Sequence, residues 1–218
     1  MKNDEESYFL FIKIGEEKHI DSLQKSGQIF CNSITYFRSI EGDKNRADKN
    51  EGKNYIKQIR DIEIFIENRP IAHASYAQMY NENIDMHGNI FCLYAAKSSL
   101  LNKEKTLQKI NFDNNIKDFG AYALLIYHPD KFINRVSREL RRLSKDFAYS
   151  PVFYYDENIY QGKLGPFHKS KKFLNQSEFR LWIPNTEEKV FEFFIGDISD
   201  ISYKIPVSGL NNISAKLL

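Results

Sequence analysis

The segment KKFLNQSEFRLWI, residues 171–183, holds the side chains best suited to chemistry. Read as a strand, it turns Gln176, Glu178 and Arg180 to one side and Ser177, Phe179 and Leu181 to the other, because strand side chains alternate with a period of two. A carboxylate beside an amide suits work at a sugar. It accepts a hydrogen bond from a ribose hydroxyl and steadies positive charge as a glycosidic bond breaks, while the amide orients an incoming nucleophile. The competing reading pairs Glu178 with Arg180 or a nearby lysine on a solvated sheet face. Spacing alone favours that plainer reading.

Three other places carry chemical options. The stretch IEGDKNRADKNEGK, residues 40–53, has almost no apolar group and both signs of charge, so it is expected to be a loop that builds no core and is mobile without a ligand. Its Arg46, with Asp48 and Glu51, suits a dinucleotide's pyrophosphate and riboses, Arg giving bidentate phosphate contacts; a surface insertion is the alternative. Tyr36 and Phe37 just before it suit stacking on a nicotinamide or base, or a place in the core. Lys13 is a lone cation in the apolar run FIKIG. Asp43, Asp48 and Glu51 form the densest carboxylate set, which a metal-dependent nuclease would need, but they sit in the least structured stretch.

Composition narrows the rest. The 218 residues include 17 Phe and 13 Tyr, enough aromatic content for a core with much sheet. Net charge is only +2, which does not announce a nucleic-acid binder. The charge is uneven, however. Residues 131–145 hold six basic side chains and one acid, and residues 162–172 add four lysines and a histidine. A basic surface with Arg138, Arg141, Lys169, Lys171 and Arg180 is therefore a candidate acceptor contact; a solvated helix face is the plainer reading. Cys31 and Cys92 lack CxxC spacing, and the five histidines form no metal signature, so two buried thiols and no structural metal are expected. No apolar run is long enough to span a membrane, and the acidic start MKNDEES does not read as a secretory signal; a cytoplasmic chain is expected. P-loop, GxGxxG and GxSxG motifs are missing.

The elements that must position these groups follow from periodicity. YFLFIKIG (8–15) reads as a strand, EEKHIDSLQKSG as a short helix stopped by glycine, and QIFCNSITYF as a further extended segment. NYIKQIRDIEIFIEN and IAHASYAQMY read as partner strands broken at Arg69-Pro70. GNIFCLYAA reads as a central strand and DFGAYALLIYHP as a buried one. DKFINRVSRELRRL is the clearest helix, with Phe132, Ile133, Val136 and Leu140 as its apolar stripe and Asp130 at its N-cap. FHKSKKFL reads as a helical turn leading into the 171–183 strand, and two strands close the chain. The sum is an α+β fold: a single domain, residues 1–218, with a mixed or mostly antiparallel sheet and two or three helices.

Taken in order, HIDSLQKSGQIFCNSITYFRSIEGDKNRADKNEG, FGAYALLIYHPDKFINRVSREL, GPFHKSKKFLNQSEFRLWI and IGDISDI resemble a broad group of bacterial proteins of toxin and phage-defence loci. That group is in turn similar to ADP-ribosyltransferases. IKIGEEKHIDSLQKSGQIF resembles the opening of DarT-type toxins, and Gln176-Ser177-Glu178 resembles the Gln/Glu-x-Glu motif of arginine- or nucleic-acid-modifying members. The resemblance implies an NAD-binding split sheet with Glu178 as the catalytic acid. Lys13 or His19 stands nearest to the family's NAD-holding first-strand residue, and AAKSS (95–99) is a poor substitute for its Ser-Thr-Ser motif.

The function so implied is an NAD-dependent mono-ADP-ribosyltransferase, a toxin or antiviral effector whose acceptor is RNA, DNA or protein, with the basic stretches favouring nucleic acid. Glu178 and Gln176 would carry the chemistry, and Lys13, Tyr36, Phe37 and Arg46 would hold NAD. The rival is a non-catalytic binding module of a defence or toxin–antitoxin complex, with Glu178 as a structural ion-pair member and an antitoxin as partner.

Overall fold

The computed structural model describes residues 7–39, 50–81, 86–101 and 106–216. Arg46, Asp43 and Asp48, and with them most of the 40–53 loop, lie outside the described residues.

The N-terminal pattern is realised as expected as far as Ser33, but the end of QIFCNSITYF, expected to be extended, is helical. Strand β1 (Tyr8–Gly15) leads into helix α1 (Glu17–Ser26), which buries Ile20 and Leu23 and ends at Gly27. Gly27 has φ 64°, and a Cβ there would fall 2.2 Å from the Gly196 carbonyl oxygen, so glycine answers both the left-handed turn and the close approach. Strand β2 (Gln28–Ser33) runs directly into a short helix α2 (Ile34–Ser39) that carries Tyr36 and Phe37. The alternating isoleucines build β3 (Tyr55–Ile66), which pairs with β4 (Arg69–Tyr80); strand β5 (Asn89–Lys97) is central. After the short β6 (Gln108–Lys109) come β7 (Tyr122–Ile126) and helix α3 (Pro129–Arg142). Its N-cap is His128 without a side-chain cap; Asp130 sits in the first turn instead, because Pro129 already opens the helix.

The C-terminal third is mostly short strands: β8 (Ala148–Pro151), β9 (Phe153–Tyr155), β10 (Gly162–Lys163) and β11 (His168–Ser170). They are followed by β12 (Glu178–Ile183), β13 (Phe191–Phe194), β14 (Ser202–Pro206) and β15 (Ser214–Ala215). The described residues thus hold three α-helices, with further 3-10 turns, and sheets that are antiparallel except for the β9–β11 pair. The fold is α+β, as the patterning implied.

The main sheet divides at β5. One edge of β5 pairs with β12 throughout, from Glu178 opposite Tyr94 to Ile183 opposite Asn89. The other edge is shared: β1 pairs at the Tyr94 end, its last partners being Ile12 and Tyr94, and β2 pairs at the far end through Asn32–Ile90 and Ser33–Asn89. Between them, Phe91, Cys92 and Leu93 pair with β12 alone. β1 continues outward with β7 and β14, and β2 with β13, so the two branches leave a gap over the middle of β5.

Two cores flank the sheet. On one face Phe11, Leu93, Leu124, Phe179 and Leu181 pack with Ile20 and Leu23 of α1 and with Phe132, Val136 and Leu140 of α3. On the other, Leu10, Ile12, Ala96 and Ala123 pack under Ile116, Val207 and Leu210. Glu178 and Arg180 alternate with Phe179 and Leu181, so they leave β12 on the face away from α3.

Candidate active site

The gap over β5 opens into a cavity of about 620 Å³. Its lining brings together residues that lie far apart in sequence: Lys13 from β1, His19 from α1, Tyr36 and Phe37 from α2, Cys92 and Tyr94 from β5, and Glu178 and Arg180 from β12. Gln176, Lys169 and Glu51 complete its polar wall.

The Gln176-x-Glu178 row is not one strand. Residues Lys171–Gln176 form a 3-10 turn, and Ser177 caps it in the left-handed region at φ 39°. Two hydrogen bonds hold that conformation: the Ser177 hydroxyl donates to the Ala95 carbonyl at 2.9 Å, and the Ala95 amide donates to the Ser177 carbonyl at 2.8 Å. The chain then enters β12 at Glu178. Both Gln176 and Glu178 still reach the cavity, for the 3-10 end is turned toward the same wall.

Glu178 is the centre of a buried charge cluster and is only 5% exposed. Its Oε2 accepts from Lys169 Nζ at 2.9 Å and its Oε1 from Arg180 Nε at 2.6 Å. Lys169 Nζ also donates to Gln176 Oε1 at 2.7 Å, which fixes the amide beside the carboxylate. Arg180, 1% exposed, is the largest fully buried side chain among the described residues. It grips Glu51 through Nη1 at 2.6 Å and Nη2 at 2.8 Å, and donates to the Pro166 carbonyl at 2.6 Å. Two carboxylates thus meet two cations away from water, the balance that makes burial of four charges tolerable.

The electrostatics follow from this packing. Burial alone would push the Glu178 carboxyl up, but the Arg180 guanidinium and then the Lys169 ammonium outweigh it and hold the group well below the ordinary carboxylate range. Removal from water works against the charge of Arg180, yet Glu178 and Glu51 together drive it well above its ordinary value. The Cys92 thiol points into the same cluster; burial, then the Glu178 charge, pushes it up, so it is a neutral thiol there. The Tyr154 hydroxyl accepts from the Glu178 amide at 2.8 Å, and burial likewise holds this phenol up and protonated.

Lys13 explains its own oddity. Past Ile12 the ladder between β1 and β5 has ended, and Lys13 Nζ reaches across the gap to donate to the Cys92 carbonyl at 2.9 Å, lying 4.4 Å over the Phe91 ring. A cation in an apolar strand therefore sits where the sheet parts. Tyr36 and Phe37 form an edge-to-face pair, 5.4 Å between centroids, at the cavity wall.

Several expectations need correction. Lys169 and Arg180 do not belong to a basic surface: they are 5% and 1% exposed and spend their donors on Glu178, Gln176 and Glu51. Arg138 and Arg141 are exposed on α3, which packs on the sheet face opposite Glu178, so the sheet separates them from the carboxylate. Lys171 is exposed at the start of the 3-10 turn. The end of the charged loop does enter the interior: Glu51 and Gly52 are buried, Arg38 Nε donates to the Glu51 carbonyl, and the Met86 amide donates to the Gly52 carbonyl. Glu51, read as a sugar or metal contact, is the ion-pair partner of Arg180. Nothing local in the sequence marks a contact 129 residues apart; the signal was an Arg in a strand rich in buried positions, which demands a counter-charge.

Among the described residues, no group of three or more His, Cys, Asp or Glu is placed to hold a metal ion, and no helix is long and apolar enough to cross a membrane. Comparison with known proteins finds no match to a family model, to a curated protein or to a solved structure.

Proposed function

We propose that the chain is an NAD-dependent mono-ADP-ribosyltransferase, a cytoplasmic toxin or antiviral effector whose acceptor is RNA, DNA or protein. The observation that carries this reading is the ionised carboxylate of Glu178, fixed beside the Gln176 amide at the wall of a cavity of about 620 Å³ where the sheet parts. That volume falls within the roughly 300–1,000 Å³ of small-molecule sites. The gap between the β1 and β2 branches also suits the split sheet implied by the resemblance to ADP-ribosyltransferases.

The residues fit the parts of NAD. Lys13 supplies the cation for the phosphates, Tyr36 and Phe37 an aromatic wall for the nicotinamide, and His19 a further polar group of the lining. NAD supplies the ADP-ribosyl group, which passes to the acceptor as the bond to nicotinamide breaks and nicotinamide leaves. Glu178 offers negative charge to a ribose hydroxyl and to the positive charge that grows on the ribose as the bond to nicotinamide lengthens. Its charge is present at all physiological pH because Arg180 and Lys169 hold its proton affinity low. Gln176 orients the acceptor nucleophile, its carbonyl side already held by Lys169.

One observation favours a second reading. Both oxygens of Glu178 already accept hydrogen bonds from cations. In a non-catalytic module of a defence or toxin–antitoxin complex, that cluster would be purely structural and the cavity would bind without chemistry. Incubating the protein with labelled NAD and, separately, total RNA, DNA and cell lysate separates the two. Label transferred to one acceptor class supports the transferase; folded protein that neither transfers label nor releases nicotinamide supports the binding module.

A further inference from the structure

Strand β2 presents an uncharged row to the cavity. Its burial alternates: Ile29, Cys31 and Ser33 are buried, while Gln28, Phe30 and Asn32 turn the other way and line the cavity. Phe30 is 48% exposed, a large apolar ring open to that space. The amides on either side of it are set differently. Gln28 Nε2 donates to Glu192 Oε1 at 2.7 Å, and a carboxylate only accepts, so Gln28 Oε1 is the atom left to receive a donor. The Asn32 side chain makes no hydrogen bond among the described residues and keeps both its donor and its acceptor.

Register places this row relative to the carboxylate. Asn32 stands opposite Ile90 on one edge of β5; Arg180 stands opposite Cys92 and Glu178 opposite Tyr94 on the other. Ile90, Cys92 and Tyr94 point to one side of β5, and paired residues share a face, so the β2 row and Glu178 lie on the same face of the sheet. Along β5 they are four residues, about 13 Å, apart. Lys13 Nζ donates to the carbonyl of Cys92, midway between them. A single ring cannot touch both ends. A base carried on a ribose and joined through a pyrophosphate to a second ribose can: base on β2, pyrophosphate at Lys13, far ribose at Glu178. Glu192 sets the polarity. It pairs with Phe30 across the β2–β13 ladder, and its charge disfavours phosphate at the β2 end.

We infer that Gln28, Phe30 and Asn32 form a subsite for the adenine base of the ligand. The inference rests on the reading of the cavity as a dinucleotide site, but not on catalysis there. Phe30 gives the purine a face to stack on. Gln28 Oε1 accepts from the 6-amino group and the Asn32 amide donates to a ring nitrogen, the two kinds of contact by which carboxamides read adenine. A 6-oxo purine, hypoxanthine or guanine, turns an acceptor toward Gln28 Oε1 and leaves both oxygens unpaired.

Calorimetric titration of the full chain with adenosine diphosphate and with inosine diphosphate tests this. The adenine nucleotide should bind at least tenfold more tightly. Phe30→Ala should weaken it about tenfold or more, and Phe30→Tyr, which keeps the ring, should restore it. Gln28→Ala should narrow the gap between the two nucleotides. Neither Gln28 nor Phe30 is a core residue, so circular dichroism should be unchanged in all three variants. Equal affinity of the wild type for both nucleotides, binding of neither, or binding indifferent to Phe30→Ala overturns the inference. Neither probe carries nicotinamide, so the outcome stands apart from the transferase reading. Selective binding of adenosine diphosphate by a protein that never releases nicotinamide from NAD keeps the adenine subsite and overturns the transferase. Nicotinamide release that is equally fast from NAD and from its hypoxanthine analogue does the reverse.

Discussion

Arg180 holds Glu51 with both terminal nitrogens, 2.6 and 2.8 Å away, and through that grip ties the end of the charged 40–53 stretch to the middle of β12. The pair is 1% exposed on both sides. Removing one member of a buried pair strands the other, which costs about 3–5 kcal/mol. Glu51→Gln should therefore lower stability by that order in urea unfolding. Near-wild-type stability of this variant would show that Arg180 finds a new partner and that Glu51 is dispensable to the fold.

Glu178 gives the cluster a pH dependence whose sign is fixed. Its folded carboxyl is held below the ordinary glutamate value of about 4.3, so the unfolded chain takes up a proton that the folded chain refuses. The stabilisation is complete above that value and is lost as the pH falls toward the folded value. Thermal unfolding followed from about pH 6 down to pH 3 should show a steeper loss in wild type than in Glu178→Gln. Parallel profiles would mean that the ion pairs contribute no differential proton binding.

Lys13 bridges the parted strands, so its loss should act on ligand affinity more than on chemistry. Lys13→Met is expected to raise the KM for NAD roughly tenfold with kcat little changed, the signature of lost uniform binding. A fall in kcat at constant KM would move Lys13 from phosphate holding to a role in the reaction itself.

Gln176 should matter to the acceptor rather than to nicotinamide release. Gln176→Ala is expected to cut label transfer about tenfold relative to NAD hydrolysis measured in the same reaction. Equal losses of both would show that the amide serves Glu178 by way of Lys169 and does not orient a nucleophile.

Much of the scaffold is legible from local pattern. The isoleucine alternation of β3, the stripe of α3 and the glycine stop of α1 depend on neighbours within a few residues, and the structure returns each of them. The polar side of the 171–183 segment does face a cavity. Its geometry was not legible, because the left-handed Ser177 depends on hydrogen bonds to Ala95, 82 residues away. Lysine and arginine are expected at the surface because they are rarely buried. Lys169 and Arg180 escape that rule by meeting Glu178 and Glu51, and such pairing is set by tertiary packing that no window of sequence contains.

Two replacements of Glu178 separate a charge that does chemistry from one that only holds the fold. Glu178→Asp keeps the charge and draws the carboxylate back by one methylene, while Glu178→Gln removes the charge. Nicotinamide release from NAD should be followed for both alongside wild type, with folding checked by thermal unfolding. Release should fall roughly 10²–10³-fold in each variant, the size expected for removing a preorganised electrostatic stabiliser. Release by folded Glu178→Gln at the wild-type rate, or none by wild type itself, would contradict it and leave Glu178 as a structural ion.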